Sequence, residues 1–177
     1  MEAALPPKAF FKFCPRCGQA YIDASLLDNK LECQKCNFVF YQNPKTAVNA
    51  IILNEKQEVL LARRAYDPGK GTWDFPGGFV DYGEYPAHAI VREMEEELHV
   101  TFTPTKIFSS FHSWYPFDGL KVSLVVIVYR GTIVGELQPD DDVSECRWFS
   151  LDKIPDDLAF LEMRGLLESL RTSVVAK

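Results

Sequence analysis

Four glutamates, Glu93, Glu95, Glu96 and Glu97, lie within five residues of a segment with helical periodicity. At about 100° per residue, Glu93, Glu96 and Glu97 share one face of a helix, whereas Glu95 lies on the solvent side. Like charges at these spacings repel each other. A divalent cation such as Mg²⁺ or Mn²⁺ requires several oxygen ligands near one point. The segment is therefore interpreted as a cation site or, as for most charge runs, as a solvated acidic surface.

Four cysteines form a second cluster that could bind a metal. They are spaced C-x2-C-x15-C-x2-C, at Cys14, Cys17, Cys33 and Cys36. This spacing is typical of a zinc site, and four thiolates leave no open position for catalysis. We therefore expect a structural Zn²⁺, with two disulfides as the alternative in an oxidising compartment. Cys146 alternates with charged neighbours in "SECRWF", which predicts a buried strand residue.

Composition excludes several classes of protein. The 177 residues are 47% hydrophobic and carry a net charge of −6, which predicts a folded chain and argues against a general nucleic-acid or anionic-membrane binder. The longest apolar run, residues 124–128, is far too short to span a membrane. No secretion signal is visible, so we expect a cytoplasmic protein.

A junction at "QNPK", residues 42–45, divides the chain. We predict a zinc ribbon over 1–43 and a second domain over 44–177. The second domain is predicted to contain strands at 47–53 and 58–64 joined by a turn, a glycine-rich loop at 69–78, a helix from Pro86 to Leu98, strands near 106–113 and 120–130, an acidic loop at 136–142, a short strand, and a helix from about Asp157.

The acidic segment resembles the Nudix box, G-x5-E-x7-R-E-U-x-E-E-x-G-U, where U is a large aliphatic residue. The matching positions are Gly78, Glu84, Arg92, Glu93, Met94, Glu96, Glu97 and Val100. His99 stands where the pattern has glycine. A left-handed residue often ends a helix at such a place, and histidine would adopt that conformation at a cost of about 1 kcal/mol.

The cysteine pattern and the junction "FYQNPKTAV" resemble zinc-ribbon Nudix proteins, including the NADH pyrophosphatase branch. The resemblance implies an α/β fold, a Nudix-type α/β/α sandwich with a mixed sheet, preceded by a small zinc ribbon. It also implies metal-dependent hydrolysis of a nucleoside diphosphate linked to another group, such as NADH, ADP-ribose or FAD.

Roles follow from the resemblance residue by residue. The Gly78 carbonyl, Glu93, Glu96 and Glu97 are expected to bind Mg²⁺ or Mn²⁺. Glu93, Glu97 or a loop acid is expected to act as the base, and the candidate loop acids are Asp140, Asp141, Asp142 and Glu145. Arg92 is expected to orient a carboxylate through a bidentate pair, and Glu84 to brace the loop against the helix.

Substrate contacts are predicted at five positions: Arg63, Arg64, Trp114, Tyr115 and Phe117. The arginines would reach phosphates or would be strand-end charges, and the aromatic residues would stack on a base or belong to the core. The segment "SSFHSWYPFDGLKVS" lacks the S-Q-P start of the NADH pyrophosphatase element, so it does not fix NADH as the substrate.

Two other functions stay open at this point. One is a nucleotide sensor without turnover, which would not need every box carboxylate. The other is processing of RNA ends with the ribbon contacting nucleic acid. Residues 1–45 hold six Lys/Arg and four Asp/Glu, which is too weakly basic to favour nucleic acid as a partner. The expected partner is a small nucleoside diphosphate derivative, and a homodimer is left open.

Overall fold

The computed structural model describes residues 11–21, 30–117 and 120–175. Its elements are β1 (Lys30–Glu32), β2 (Val39–Tyr41), β3 (Lys45–Ile52), β4 (Glu58–Arg64), β5 (Trp73–Asp74), α1 (Pro86–Leu98), β6 (Thr101–Phe117), β7 (Leu120–Val134), β8 (Val143–Ser150) and α2 (Glu162–Val175). The predicted α/β class is confirmed. None of the helices within these ranges is long and apolar enough to cross a membrane.

The chain divides into two compact units. One contains the described residues up to Lys45 together with Trp114–Leu124, and the other contains Thr46–Ser113 and Val125–Lys177. Residues 1–10 and 22–29 of the predicted ribbon lie outside the described residues. The box helix and the loop acids belong to the second unit.

The described part of the chain forms three sheets. Strands β1 and β2 make an antiparallel pair, and the other sheets have the orders β3-β7-β6 and β5-β4-β8. The turn predicted between the first two long strands forms, with the Asn54 side chain accepting hydrogen bonds from the amides of Lys56 and Glu58. The strands on either side of the turn nevertheless belong to different sheets, so they do not form a simple hairpin.

The first helix has the bounds predicted from sequence. Pro86 occupies its first turn, where the missing amide hydrogen costs nothing. His99 ends it in the left-handed conformation, with φ 54° and ψ 36°. Its buried face contains Ala89, Ile90, Met94 and Leu98, which pack against Val48, Ala50, Ile52, Leu60, Ala62, Phe102, Tyr129 and Val143. This core fixes the face of α1 that carries the carboxylates.

The start predicted for the second helix was wrong. Asp157 does not begin α2, which starts at Glu162. The backbone around Leu158 pairs with Trp73 instead, since the Trp73 amide donates to the Asp157 carbonyl (2.9 Å) and the Ala159 amide donates to the Trp73 carbonyl (2.8 Å). Those hydrogen bonds require an extended chain. The apolar face of the helix buries Met163, Leu167 and Leu170.

Candidate active site and metal centre

A glycine turn lies directly against the carboxylate face of α1. The Gly77 amide donates a hydrogen bond to Glu97 Oε2 (2.8 Å). A side-chain carbon at Gly78 would lie 2.6 Å from the Glu93 carboxyl group, so only glycine allows this approach. The Gly78 carbonyl accepts a hydrogen bond from the Val48 amide (2.8 Å). A carbonyl oxygen has two lone pairs, so one acceptor direction stays available for a cation.

Arg92 connects three of the box carboxylates. Its Nε and Nη2 donate to the two oxygens of Glu84 (3.0 and 2.9 Å), which is the bidentate geometry expected for this arginine. Its Nη1 donates to Glu93 (2.8 Å) and to Glu96 (2.9 Å). A further hydrogen bond reaches the Phe79 carbonyl (3.0 Å). Arg92 therefore links the loop before the helix to the helix itself and neutralises part of the acidic charge.

The three glutamates on the predicted face differ in environment. Glu97 is only 4% exposed. Burial raises its pKa well above the ordinary value, and the Asp142 carboxyl group beside it raises the pKa further. Burial also raises the pKa of Glu93, against the opposing effect of Arg92. The Glu96 side chain is 48% exposed. On this face of the helix, solvent exposure is therefore lowest at Glu97 and highest at Glu96.

Asp142 is the loop acid that reaches this site. Its carboxyl group affects the pKa of both Glu93 and Glu97. The other candidates lie elsewhere: Asp140 contacts His99 (2.9 Å), and Glu145 pairs with Arg63 (3.3 Å). Asp141 is exposed. The loop therefore adds one carboxylate to those on the helix.

Sequence reasoning missed a buried acid next to the site. Asp74 lines a small cavity of about 10 Å³ together with Arg64, Gly77, Glu97 and Asp142. Burial raises the pKa of Asp74 to about 6, although Arg64 acts in the opposite direction. A lone aspartate in the apolar stretch before the glycine turn, "TWDFPGG", was the available signal.

Both arginines predicted to contact substrate have partners within the protein. Arg63 donates to the Gly71 carbonyl (2.8 Å) and to Glu145. Arg64 donates to the Pro68 carbonyl (2.7 Å) and to Asp74 (3.2 Å). These contacts order the loop after β4. Contact with phosphate stays a prediction for both arginines. Trp114, Tyr115 and Phe117 belong to the other compact unit, and their contact with a base also stays a prediction.

The donor set of the second unit fits a hard divalent cation. Carboxylate and carbonyl oxygens are the ligands that Mg²⁺ and Mn²⁺ prefer. Besides burial, the Asp142 carboxyl group raises the pKa of both Glu93 and Glu97, so negative charges at this site repel one another. A cation there would offset their mutual repulsion.

The four cysteines converge as a zinc site requires. Their sulfur atoms lie within 4.8 Å of one another, with Cys14 to Cys36 at 3.7 Å and Cys17 to Cys33 at 3.6 Å. A tetrahedron with Zn–S bonds of about 2.3 Å has edges of about 3.8 Å, so the residues present fit Zn²⁺. All five cysteines are free thiols, which argues against the disulfide alternative.

Two matching turns present these sulfurs. The amides four residues after Cys14 and Cys33, those of Gly18 and Asn37, donate to the cysteine carbonyls (2.9 Å each). Both residues have positive φ, 73° and 57°. Burial of the Cys14 thiolate is outweighed by hydrogen bonds from the backbone of the same turn, which lower its pKa to about 6. Against the effect of burial, backbone hydrogen bonds likewise lower the pKa of Cys33, whereas burial and the neighbouring thiols raise that of Cys36 to about 12. The charged form that binds metal is therefore favoured at the first cysteine of each turn.

Comparisons with known proteins agree with this arrangement. Residues 43–170 match the NUDIX domain family. The chain is 37% identical over 121 residues to an ADP-ribose pyrophosphatase of Methanocaldococcus jannaschii, which covers 68% of this chain and 69% of that protein. It is 31% identical over 147 residues to the NAD-capped RNA hydrolase NudC of Pseudomonas aeruginosa, covering 81% of this chain and 49% of that protein.

A solved structure of similar extent is the NUDIX hydrolase of Nitrosomonas europaea, with a TM-score of 0.73, 28% identity and 90% of both chains covered. The present chain spans about half the length of the NudC relative. The match to the domain family covers most of the sequence and includes the glycine turn, α1 and the loop that carries Asp142. The chain therefore belongs to the Nudix hydrolase family.

Proposed function

We propose that this protein is a divalent-cation-dependent pyrophosphohydrolase that cleaves a nucleoside diphosphate linked to another group, in the class of ADP-ribose, NADH and FAD. The observation that carries the proposal is the convergence of Glu97, Glu93 and Asp142 on the Gly77–Gly78 turn. An anionic pocket of this kind is incompatible with a pyrophosphate unless a cation lies between them.

Glu93, Glu96, Glu97 and the Gly78 carbonyl would hold Mg²⁺ or Mn²⁺, and Asp142 is well placed to join them. When bound, the cation would neutralise phosphate charge and acidify a water molecule. Arg92 keeps Glu93 and Glu96 oriented, and Glu84 ties Arg92 to the loop before the helix. These contacts preorganise the carboxylates before substrate arrives.

The reaction adds water to phosphorus and breaks a phosphoanhydride bond, so one proton must be removed from the water. The candidates for this base are Glu93, Glu97 and Asp142, the loop acid that reaches the site. Burial raises the pKa of the two helix carboxyl groups, and a base works best when its pKa lies near the working pH. The Gly77 amide fixes the direction of the Glu97 carboxylate (2.8 Å).

The identity of the substrate is proposed from the relatives. One relative is an ADP-ribose pyrophosphatase and another is a NAD-capped RNA hydrolase. ADP-ribose and NAD, the compounds in these two names, both contain an adenosine diphosphate linked through its terminal phosphate to a ribose. That shared group is the substrate feature that we propose for this chain.

A second candidate is the removal of a NAD cap from RNA. The relatives of that name match 81% of this chain, a longer part than the ADP-ribose pyrophosphatase does. This stands against the expectation that nucleic acid is not a partner, which rested on the net charge of −6 and on the weak positive charge of residues 1–45. The two candidates share a phosphoanhydride and differ in whether an RNA chain follows it.

The cysteine cluster is proposed to hold a structural Zn²⁺ within a ribbon over residues 1–43, followed by the hydrolase domain over 44–177. The support is the tetrahedral spacing of the sulfurs and the matched turns. A segment of this size buries little apolar surface, so the metal would supply much of its stability.

A turnover screen tests the proposal. Purified protein is incubated with ADP-ribose, NADH, FAD, a diadenosine polyphosphate, an oxidised dNTP and a NAD-capped RNA oligonucleotide, each with Mg²⁺ or Mn²⁺. Production of AMP from ADP-ribose or NADH is expected. Release of nicotinamide mononucleotide from the capped RNA alone would favour the second candidate. Tight binding of a nucleotide without any product would make the protein a sensor and overturn both.

A further inference from the structure

The end of α1 is joined to the acidic loop by a side-chain contact that the box pattern does not contain. His99 Nε2 lies 2.9 Å from the Asp140 carboxylate. His99 adopts the left-handed conformation (φ 54°) that the pattern satisfies with glycine. A histidine in this conformation carries strain that glycine avoids. In exchange, its ring makes a contact with Asp140 that glycine could not make.

The same loop is also hydrogen-bonded to the end of the helix through its backbone. The Gln138 amide donates to the Leu98 carbonyl (3.0 Å), and the Asp140 amide donates to the Glu97 carbonyl (2.8 Å). The last carbonyls of a helix have no partner inside the helix. The loop supplies two such partners, and one of them belongs to the residue that His99 contacts.

Asp140 also organises the chain that follows it. Its carboxylate accepts a hydrogen bond from the Asp141 amide (2.8 Å), and its carbonyl accepts one from the Val143 amide (3.0 Å). This turn contains Asp142, whose carbonyl accepts from the Ala65 amide (2.7 Å) and whose carboxyl group lies against Glu97. A fixed Asp140 therefore fixes the residue two positions later.

We propose that His99 is a positioning residue that latches residues 138–142 onto the end of α1 and thereby holds Asp142 against Glu97. The effect on turnover rests on the proposed function. The latch itself does not, because it concerns contacts within the protein alone. The left-handed His99 strains the end of the helix, and its contact with Asp140 fixes the position of Asp142.

Hydrogen exchange tests the latch without any activity measurement. In His99→Gly the amides of Gln138, Asp140 and Val143 are expected to exchange about fivefold faster, the factor for one lost hydrogen bond. The melting temperature should stay equal or rise, since glycine relieves the strain. His88→Ala, an exposed histidine on the same helix, is the control and should leave these three amides unchanged.

Turnover of the best substrate from the screen gives a second readout. In His99→Gly the kcat is expected to fall about fivefold with KM unchanged, because Asp142 is displaced and the substrate contacts are not. Asp140→Asn keeps an oxygen that accepts from His99 and should retain most of the rate, whereas Asp140→Ala should match His99→Gly. Combining His99→Gly with Asp140→Ala should cost no more than either change alone.

Unchanged exchange of the three amides in His99→Gly would overturn the latch, and so would fully additive rate losses in the double variant. Faster exchange with an unchanged kcat would overturn the link from the latch to Asp142. If the wild-type protein hydrolyses nothing in the screen, the proposed function fails, while the exchange experiment still decides whether the latch exists.

Discussion

The two candidate metal sites of this molecule differ in how far their ligands are brought together. Across the described ranges, the four cysteines are the one group of three or more candidate ligands close enough to hold a metal ion, with all their sulfur atoms within 4.8 Å of one another. The carboxylates of α1 do not converge as closely. Arg92 holds Glu93 and Glu96, and the Gly77 amide holds Glu97.

The difference matches two kinds of metal chemistry. A closed set of four thiolates has no place for substrate and serves stability. A looser set of oxygens, partly neutralised by an arginine, leaves positions for phosphate oxygens and water. The first site should therefore control whether its unit folds, and the second should control turnover and ligand-linked stability.

The largest effect is expected at the cysteines. Cys33→Ser should abolish stoichiometric zinc and make the first unit sensitive to protease, because the metal replaces a core that this segment lacks. Elemental analysis of wild-type protein purified without added metal should give about one zinc per chain, the value set by one four-thiolate site.

Cys146→Ser is the matched control, since Cys146 lies outside the cluster and packs against the core of the second unit. It should keep the zinc. Less than about half an equivalent of zinc in the wild type, with four thiols open to titration in the native state, would remove the distinction between the two sites.

The next largest effect concerns the carboxylates. At a Mg²⁺ concentration 100 times the dissociation constant, a cation that binds only the folded state adds about 2.7 kcal/mol of stability. Glu97→Gln should reduce this Mg²⁺-dependent rise in melting temperature. It should not destabilise the metal-free protein, because it removes a buried charge that Asp142 repels. A thermal scan with and without Mg²⁺ measures both quantities.

A smaller effect is expected at Arg92. Arg92→Gln removes charged hydrogen bonds to three carboxylates and should lower the metal-free free energy of unfolding by about 2 kcal/mol. Mg²⁺ should restore part of that loss, since it supplies positive charge to Glu93 and Glu96. Equal destabilisation with and without Mg²⁺ in urea denaturation would show that Arg92 supports the fold and not the cation site.

The smallest expected effect is a gradual dependence on pH. The pKa of Glu97 is raised by burial and by Asp142, so in Mg²⁺-free buffer its contribution to stability is fully present below the ordinary glutamate pKa. That contribution is lost as the pH rises through the raised value. Urea denaturation from pH 5 to 8 should show this decline in the wild type and a shallower one in Glu97→Gln.

Features set by short sequence spacings were predictable. The bounds of α1 follow from Pro86, the apolar period and the break at His99, and the structure reproduces them. The convergence of the four cysteines follows from two local turns of the same geometry. The helix bounds and the geometry of each cysteine turn are determined by neighbouring residues. The meeting of the two turns was predictable because the spacing of the four cysteines is typical of a zinc site.

Features that depend on distant backbone contacts were not predictable. Asp142 could not be distinguished from Asp140 and Asp141, because the choice depends on hydrogen bonds from the loop to the end of α1 and to Ala65. Asp74 escaped notice because its role comes from burial beside Arg64. The late start of α2 has the same origin, since Trp73 holds the preceding residues in an extended form.

The central claim is that one face of α1 carries the chemistry and the opposite face does not. Initial rates of Glu97→Gln and Glu95→Gln with Mg²⁺, on the best substrate from the screen, test it most directly. Glu97 is buried against the glycine turn, whereas Glu95 is exposed. Glu97→Gln should lose about two orders of magnitude in kcat, the scale for a lost charge stabiliser, and Glu95→Gln should match the wild type. Equal rates in the two variants would contradict the claim, because the buried Glu97 would then contribute no more to turnover than the exposed Glu95.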